Sequence, residues 1–231
     1  MAAFNKTRRQ VLALLGATAM PQAVHAATQV DLALVLAIDC SYSVDATEFQ
    51  LQLRGTGQAL LDSKTFEAIS RGPNQKIAIS VFLWSDPQSQ FVMVPWHLIA
   101  RQSDATEVAD ILLRVPRNIY RGTTATGSAL LFAKSLLETA PPALRRVVDV
   151  STDGVRNTGA AINSARDALI ADGITINGLA IENEIEDLSH YMIESVIGGD
   201  GHFIIRANDY DAYAEAIKVK LLKEIANANL T

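Results

Sequence analysis

Asp39-Cys40-Ser41-Tyr42-Ser43 sets one carboxylate and two hydroxyls on alternate residues, directly after the apolar run Leu32 to Ile38. Hard oxygen donors of this kind suit a divalent cation of the magnesium or calcium type. Two later stretches carry matching chemistry, Gly122-Thr123-Thr124-Ala125-Thr126-Gly127 and Ser151-Thr152-Asp153-Gly154. Each lies between an apolar or arginine-led segment and a helix start, where an open α/β sheet puts its binding crevice. Taken singly, Ser41 and Ser43 read equally well as helix caps and Asp153 as the first residue of a turn. Their joint occurrence at strand ends favours a shared site.

The elements that must position these groups follow from the apolar patterning. Asp31 to Ile38 is too continuously apolar for a one-sided strand and reads as a parallel strand covered on both faces. Asp45 is placed to cap a helix with Glu48 three residues on, and Phe49, Leu51, Leu53, Leu60 and Leu61 supply its apolar positions. Gly55 and Gly57 within it suggest close packing against the sheet. Arg71 to Asn74 forms a turn, Lys76 to Trp84 a second strand, and Ser85 to Ser89 a hairpin into an antiparallel strand, Gln90 to Pro95. Helices are expected over Asp104–Leu113, Thr126–Leu137, Gly159–Ala171, Ile185–Val196 and Asp209–Ala228, with strands at Val147–Val150, Ile174–Ile181 and His202–Ile205. This alternation predicts a doubly wound α/β fold, a mostly parallel sheet with one antiparallel edge strand and helices on both faces.

The 231 residues and 49% hydrophobic content support a sizeable core. Residues 1–26 have the layout of an export signal: Lys6, Arg8 and Arg9, the apolar run Val11 to Ala19, then Val24-His25-Ala26 before a cleavage point. The Arg8-Arg9 pair resembles a twin-arginine signal, leaving residues 27–231 as one domain in the bacterial periplasm or secreted. Removing residues 1–26 takes away three basic and no acidic residues, so the formal net charge moves from −5 to −8. An acidic domain of this kind gives no support for nucleic-acid or anionic-membrane binding. Cys40 is the only cysteine, which excludes an intrachain disulfide; it reads as a small buried residue. His97, His190 and His202 lie on separate elements with no metal-ligand spacing between them.

Asp39-x-Ser41-x-Ser43, Thr124 in a glycine-rich turn, and Asp153-Gly154, in that order, resemble the metal-ion-dependent adhesion site of von Willebrand factor type A domains. The similarity spans the whole mature chain and includes the hairpin strand. It implies that Ser41, Ser43 and Thr124 supply hydroxyl oxygens to the cation, with Asp39 and Asp153 acting directly or through bound water. Mg2+ is the first expectation, with Ca2+ or Mn2+ as alternatives. Thr126 is the next choice after Thr124, and Cys40 is an unusual residue for its place in the motif.

The resemblance implies a non-enzymatic protein-binding module, with an Asp or Glu carboxylate of an unidentified protein partner completing the ion. Exported bacterial proteins of this type are often classed only as domains of unknown function. The alternative is a magnesium-dependent hydrolase or phosphoryl-transfer enzyme with Asp39 as nucleophile. Position 41 is serine where such enzymes generally place a second acid, and no lysine lies near the three motifs to clamp a phosphate, although Arg121 could.

Overall fold

The computed structural model describes residues 29–118 and 122–227; the expected export signal over residues 1–26, and Arg121, lie outside them. Ten apolar-rich residues, Val30–Asp39, form β1, buried along its whole length. Side chains alternate along it: Leu32, Leu34, Leu36 and Ile38 enter one core cluster, while Ala33, Val35 and Ala37 enter the other. Burial on both faces explains why the run is continuously apolar.

Around it the sheet has six strands in the order β3-β2-β1-β4-β5-β6. These are β2 (Ile77–Trp84), β3 (Gln90–Ile99), β4 (Ala143–Thr152), β5 (Thr175–Ile181) and β6 (Ile204–Ala207). Only the β2–β3 pair is antiparallel, and β3 is the edge strand. One face carries α1 (Ala46–Leu61), α2 (Ser63–Ser70), α3 (Gln102–Arg114) and α7 (Tyr213–Asn227); the other carries α4 (Thr126–Leu137), α5 (Ile162–Ala171) and α6 (Leu188–Ser195). The fold class is as expected. No described helix is long and apolar enough to cross a membrane.

Local signals locate α1 well. Asp45 accepts from Thr47 N and Glu48 N while Glu48 accepts from Asp45 N, a complete capping box. Other expectations need correction. Apolar patterning is silent on residues 62–70, where Asp62 caps a separate helix, α2. β3 runs on past Pro95 to Ile99, which an edge strand tolerates because its outer N–H groups bond nothing in the sheet. β4 begins at Ala143, so Arg145 and Arg146 lie inside the strand. β6 starts two residues later than His202. Gly55 and Gly57 face neighbouring helices instead of the sheet: a Cβ on Gly55 would lie 2.9 Å from Tyr213, and one on Gly57 3.6 Å from Ala109.

α7 docks on the sheet through a buried polar group that the apolar patterning hides. Lys220 and Glu224 are both 0% exposed and Asp149 of β4 is 1% exposed. Lys220 Nζ lies 3.1 Å from Asp149 Oδ2 and 3.0 Å from Glu224 Oε1. Asn177 Nδ2 donates to both Glu224 oxygens at 2.8 and 2.9 Å. Glu224 thus meets several donors, whereas Asp149 has the ammonium contact and no well-formed hydrogen bond. Burial pushes the Asp149 carboxyl up from 3.8 to about 7, against the opposing pull of Lys220.

Lys220→Met strands the carboxyls and is expected to cost about 3–5 kcal/mol in urea unfolding at pH 7.5. Because the folded-state pKa of Asp149 is raised, its stabilising contribution is complete below 3.8 and is lost as pH rises through about 7. Asp149→Asn should flatten that part of the stability–pH curve.

Candidate metal centre

Strand order reverses between β1 and β4, which lie side by side and parallel, with chains leaving to opposite sides. A crevice opens beyond the carboxyl ends of such a pair. Asp39 ends β1, and Thr152 ends β4 just before Asp153. The third contributor, Thr124, precedes α4, whose first residue is Thr126.

In this crevice the five expected side chains meet. Thr124 Oγ1 donates to Ser41 Oγ at 3.4 Å, and Ser43 Oγ donates to Asp153 Oδ1 at 2.8 Å. Ser41 Oγ and Ser43 Oγ are 3.3 Å apart. Each hydroxyl has one proton and that of Ser43 is committed to Asp153, so Ser41 is the donor between the two serines. The hydroxyls thus form a chain, Thr124 to Ser41 to Ser43, ending on a carboxylate. Asp39, Ser41, Thr124 and Asp153 are 1–6% exposed, and Ser43 is half-buried.

Neutral donors hold both acids. Asp39 Oδ1 accepts from Ser41 N at 2.8 Å, and Oδ2 accepts from Thr152 Oγ1. Asp153 Oδ2 accepts from Tyr210 OH at 2.9 Å. Thr124 is fixed through its backbone, with its N–H donating to Asn157 Oδ1 at 2.9 Å and its carbonyl accepting from Asn157 N at 3.1 Å. Gln52 of α1 donates to Asp39 O at 3.2 Å.

Burial, then the negative charge of Asp153, pushes the Asp39 carboxyl up to about 7. Hydrogen bonds from Thr152 and Ser41 pull it the other way. Two buried acids beside three hydroxyl oxygens form a donor set that fits a hard divalent ion. The same geometry gives no support to Asp39 as a nucleophile, since it is buried and both its oxygens are taken by protein donors. Cys40 is buried on the opposite face of the strand end, and its thiol is pushed up to about 12 by burial and by Asp39, which suits packing and not reaction.

Thr126, the second choice for the threonine, is buried with its hydroxyl making no hydrogen bond; Thr124 alone of the two reaches Ser41. His97 and His190 lie near Glu107 and Glu194, away from the crevice. Sequence reading missed the supporting residues. Thr152 was visible next to Asp153, but Gln52, Asn157 and Tyr210 carry no local signal, because each reaches its partner from a different element.

A family model described as "Protein of unknown function (DUF1194)" matches residues 29–229. No curated protein matches the sequence. Among solved structures, the chain is similar to proximal thread matrix protein 1 from the mussel byssus with a zinc-occupied MIDAS motif, at 19% identity and TM-score 0.57, covering 87% of this chain and 48% of that one. It is similar to the pilus adhesin SpaC of Lactobacillus rhamnosus GG at 13% identity and TM-score 0.63, covering 85% and 31%. It is also similar to a von Willebrand factor type A protein from Catenulispora acidiphila at 20% identity and TM-score 0.59, covering 85% and 43%. The chain spans half or less of the length of these proteins. At such identities the likeness establishes the fold, which is that of a von Willebrand factor type A domain.

Two glycines give opposite expectations for stability. A Cβ on Gly127, in the first turn of α4, would fall 2.2 Å from Ala160 O, so Gly127→Ala should cost about 1–3 kcal/mol by overpacking. Gly57, inside α1 with its nearest neighbour 3.6 Å away, has room, and Gly57→Ala should stabilise by about 0.5–1 kcal/mol. Urea midpoints of the two variants check both signs.

Proposed function

The chain belongs to the DUF1194 family, and from that premise we propose that it is a divalent-cation-dependent protein-binding module, exported to the bacterial periplasm or beyond after cleavage near Ala26. Asp39, Ser41, Ser43, Thr124 and Asp153 hold the cation, with Mg2+ the expected ion. The observation that carries this reading is the meeting, from three separate loops, of two buried acids and a chain of three hydroxyls.

Each residue has a part. Ser41, Ser43 and Thr124 offer neutral oxygens, so the set carries less negative charge than a cage of carboxylates. Asp39, with both oxygens engaged by Ser41 N and Thr152, suits a role through bound water. Asp153 is oriented by Ser43 and Tyr210 from its two sides. When bound, the cation supplies an incompletely neutralised positive centre with a position open to an outside oxygen ligand. An Asp or Glu carboxylate of the partner protein fills that position. Tyr42, 76% exposed between the two serines, stands at the rim where a partner would arrive. Adhesins and a matrix protein among the structural neighbours support a role in adhesion or assembly.

The test is capture from periplasmic extract with Mg2+ and with a chelator, using the wild-type chain beside Asp39→Ala. Capture is expected only for the wild type with Mg2+; equal capture in chelator removes the reading. Cation at about one hundred times its Kd should stabilise the wild type by about 2.7 kcal/mol and leave Asp39→Ala unmoved. Thr152→Val, which removes the hydrogen bond to Asp39, should weaken cation binding by about 10-fold in titration calorimetry.

A further inference from the structure

The connection between α3 and α4 does more than present Thr124. It meets the Asp39–Ser43 loop at several points. Arg117 donates through one guanidinium nitrogen to the carbonyls of Cys40 and Ser41, at 3.3 Å each. Five residues on, Gly122 O accepts from Tyr42 N at 2.9 Å. Thr124 Oγ1 then reaches Ser41 Oγ at 3.4 Å. The Arg117 guanidinium also sits 5.6 Å from the centre of the Phe49 ring in α1, a contact that confines its position.

We propose that Arg117 is a positioning residue for the cation site: it staples the first ligand loop to the connection that carries the third ligand, and so sets the direction of the Ser41 hydroxyl. This rests on the cation reading above. Holding the carbonyls of residues 40 and 41 fixes the orientation of the peptide planes on either side of Ser41. The Ser41 N–H is thereby turned to Asp39 Oδ1, at 2.8 Å, and its side chain toward Thr124. Residues 39 to 44 form a strand end and turn outside any helix, so nothing in the regular hydrogen-bond ladder does this work.

Placing a fixed positive charge beside a cation site is electrostatically unfavourable. That gives the proposal a sign. If Arg117 acted only as a nearby charge, its removal would tighten cation binding; if it positions the loop, its removal loosens binding despite the relief of repulsion.

The experiment measures Mn2+ affinity by calorimetry for wild type, Arg117→Met and Arg117→Lys, with hydrogen exchange of a peptide covering residues 38–49 in the metal-free chain. Arg117→Met is expected to lose about 10-fold in affinity, and Arg117→Lys, which keeps the charge but not the planar fork, to recover part of it. Exchange of residues 38–49 should quicken in both. Affinity that is unchanged in both variants, or raised in Arg117→Met, overturns the proposal. Should Arg117→Met not fold, Arg117→Lys carries the comparison on its own. A wild-type chain that takes up no Mn2+ defeats the cation reading instead, and unchanged exchange would then overturn the staple independently.

Discussion

The parallel pairing of β1 with β4 is the constraint on which the rest depends. Those two strands are the neighbours between which the strand order reverses, so the loops leaving them diverge to opposite faces and leave a crevice. Register then does the rest. With Ile38 opposite Ser151, the next residues along the two strands are Asp39 and Thr152, which are hydrogen-bonded to each other, and Asp153 follows at once. A shift of one residue in that pairing would turn one acid away from the crevice.

Two buried polar clusters in this domain are balanced in different ways. On α7, the Lys220 ammonium lies between Asp149 and Glu224, so the acids of that cluster find their counter-charge within the chain. At the crevice, the charge of Asp153 raises the Asp39 carboxyl, and the donors that bond the two acids, from Ser41, Ser43, Thr152 and Tyr210, are neutral. Internal neutralisation pins a helix to a sheet. At the crevice the two acids face hydroxyl oxygens instead, a donor set that fits a hard cation.

The supporting contacts also show how the scaffold reaches the crevice. Gln52 comes from α1, Tyr210 from the segment leading into α7, Asn157 from the loop after β4, and Arg117 from the segment after α3. All bond to backbone or to a carboxylate, and none adds negative charge. The apolar layers beneath, with Phe49, Leu53 and Tyr213 on one face and Trp84 and Leu130 on the other, hold those segments at fixed distances from the strand ends.

From the residues alone, the alternation of apolar runs with helical periodicity determined the α/β class, the antiparallel hairpin strand, the α1 capping box and the donor types of Asp39, Ser41, Ser43, Thr124 and Asp153. These are local properties: burial of a strand on both faces, or a cap, is written in neighbouring residues. Tertiary structure alone decided the end of Gln90–Ile99, the separation of α2 from α1, the faces met by Gly55 and Gly57, and the burial of Lys220 with Asp149 and Glu224. It also decided that Thr124 and not Thr126 meets Ser41, and that Thr152, Tyr210 and Arg117 support the site. Contacts of that kind join residues tens to more than a hundred positions apart, and their partners are set by strand order and register, which no short stretch of sequence encodes.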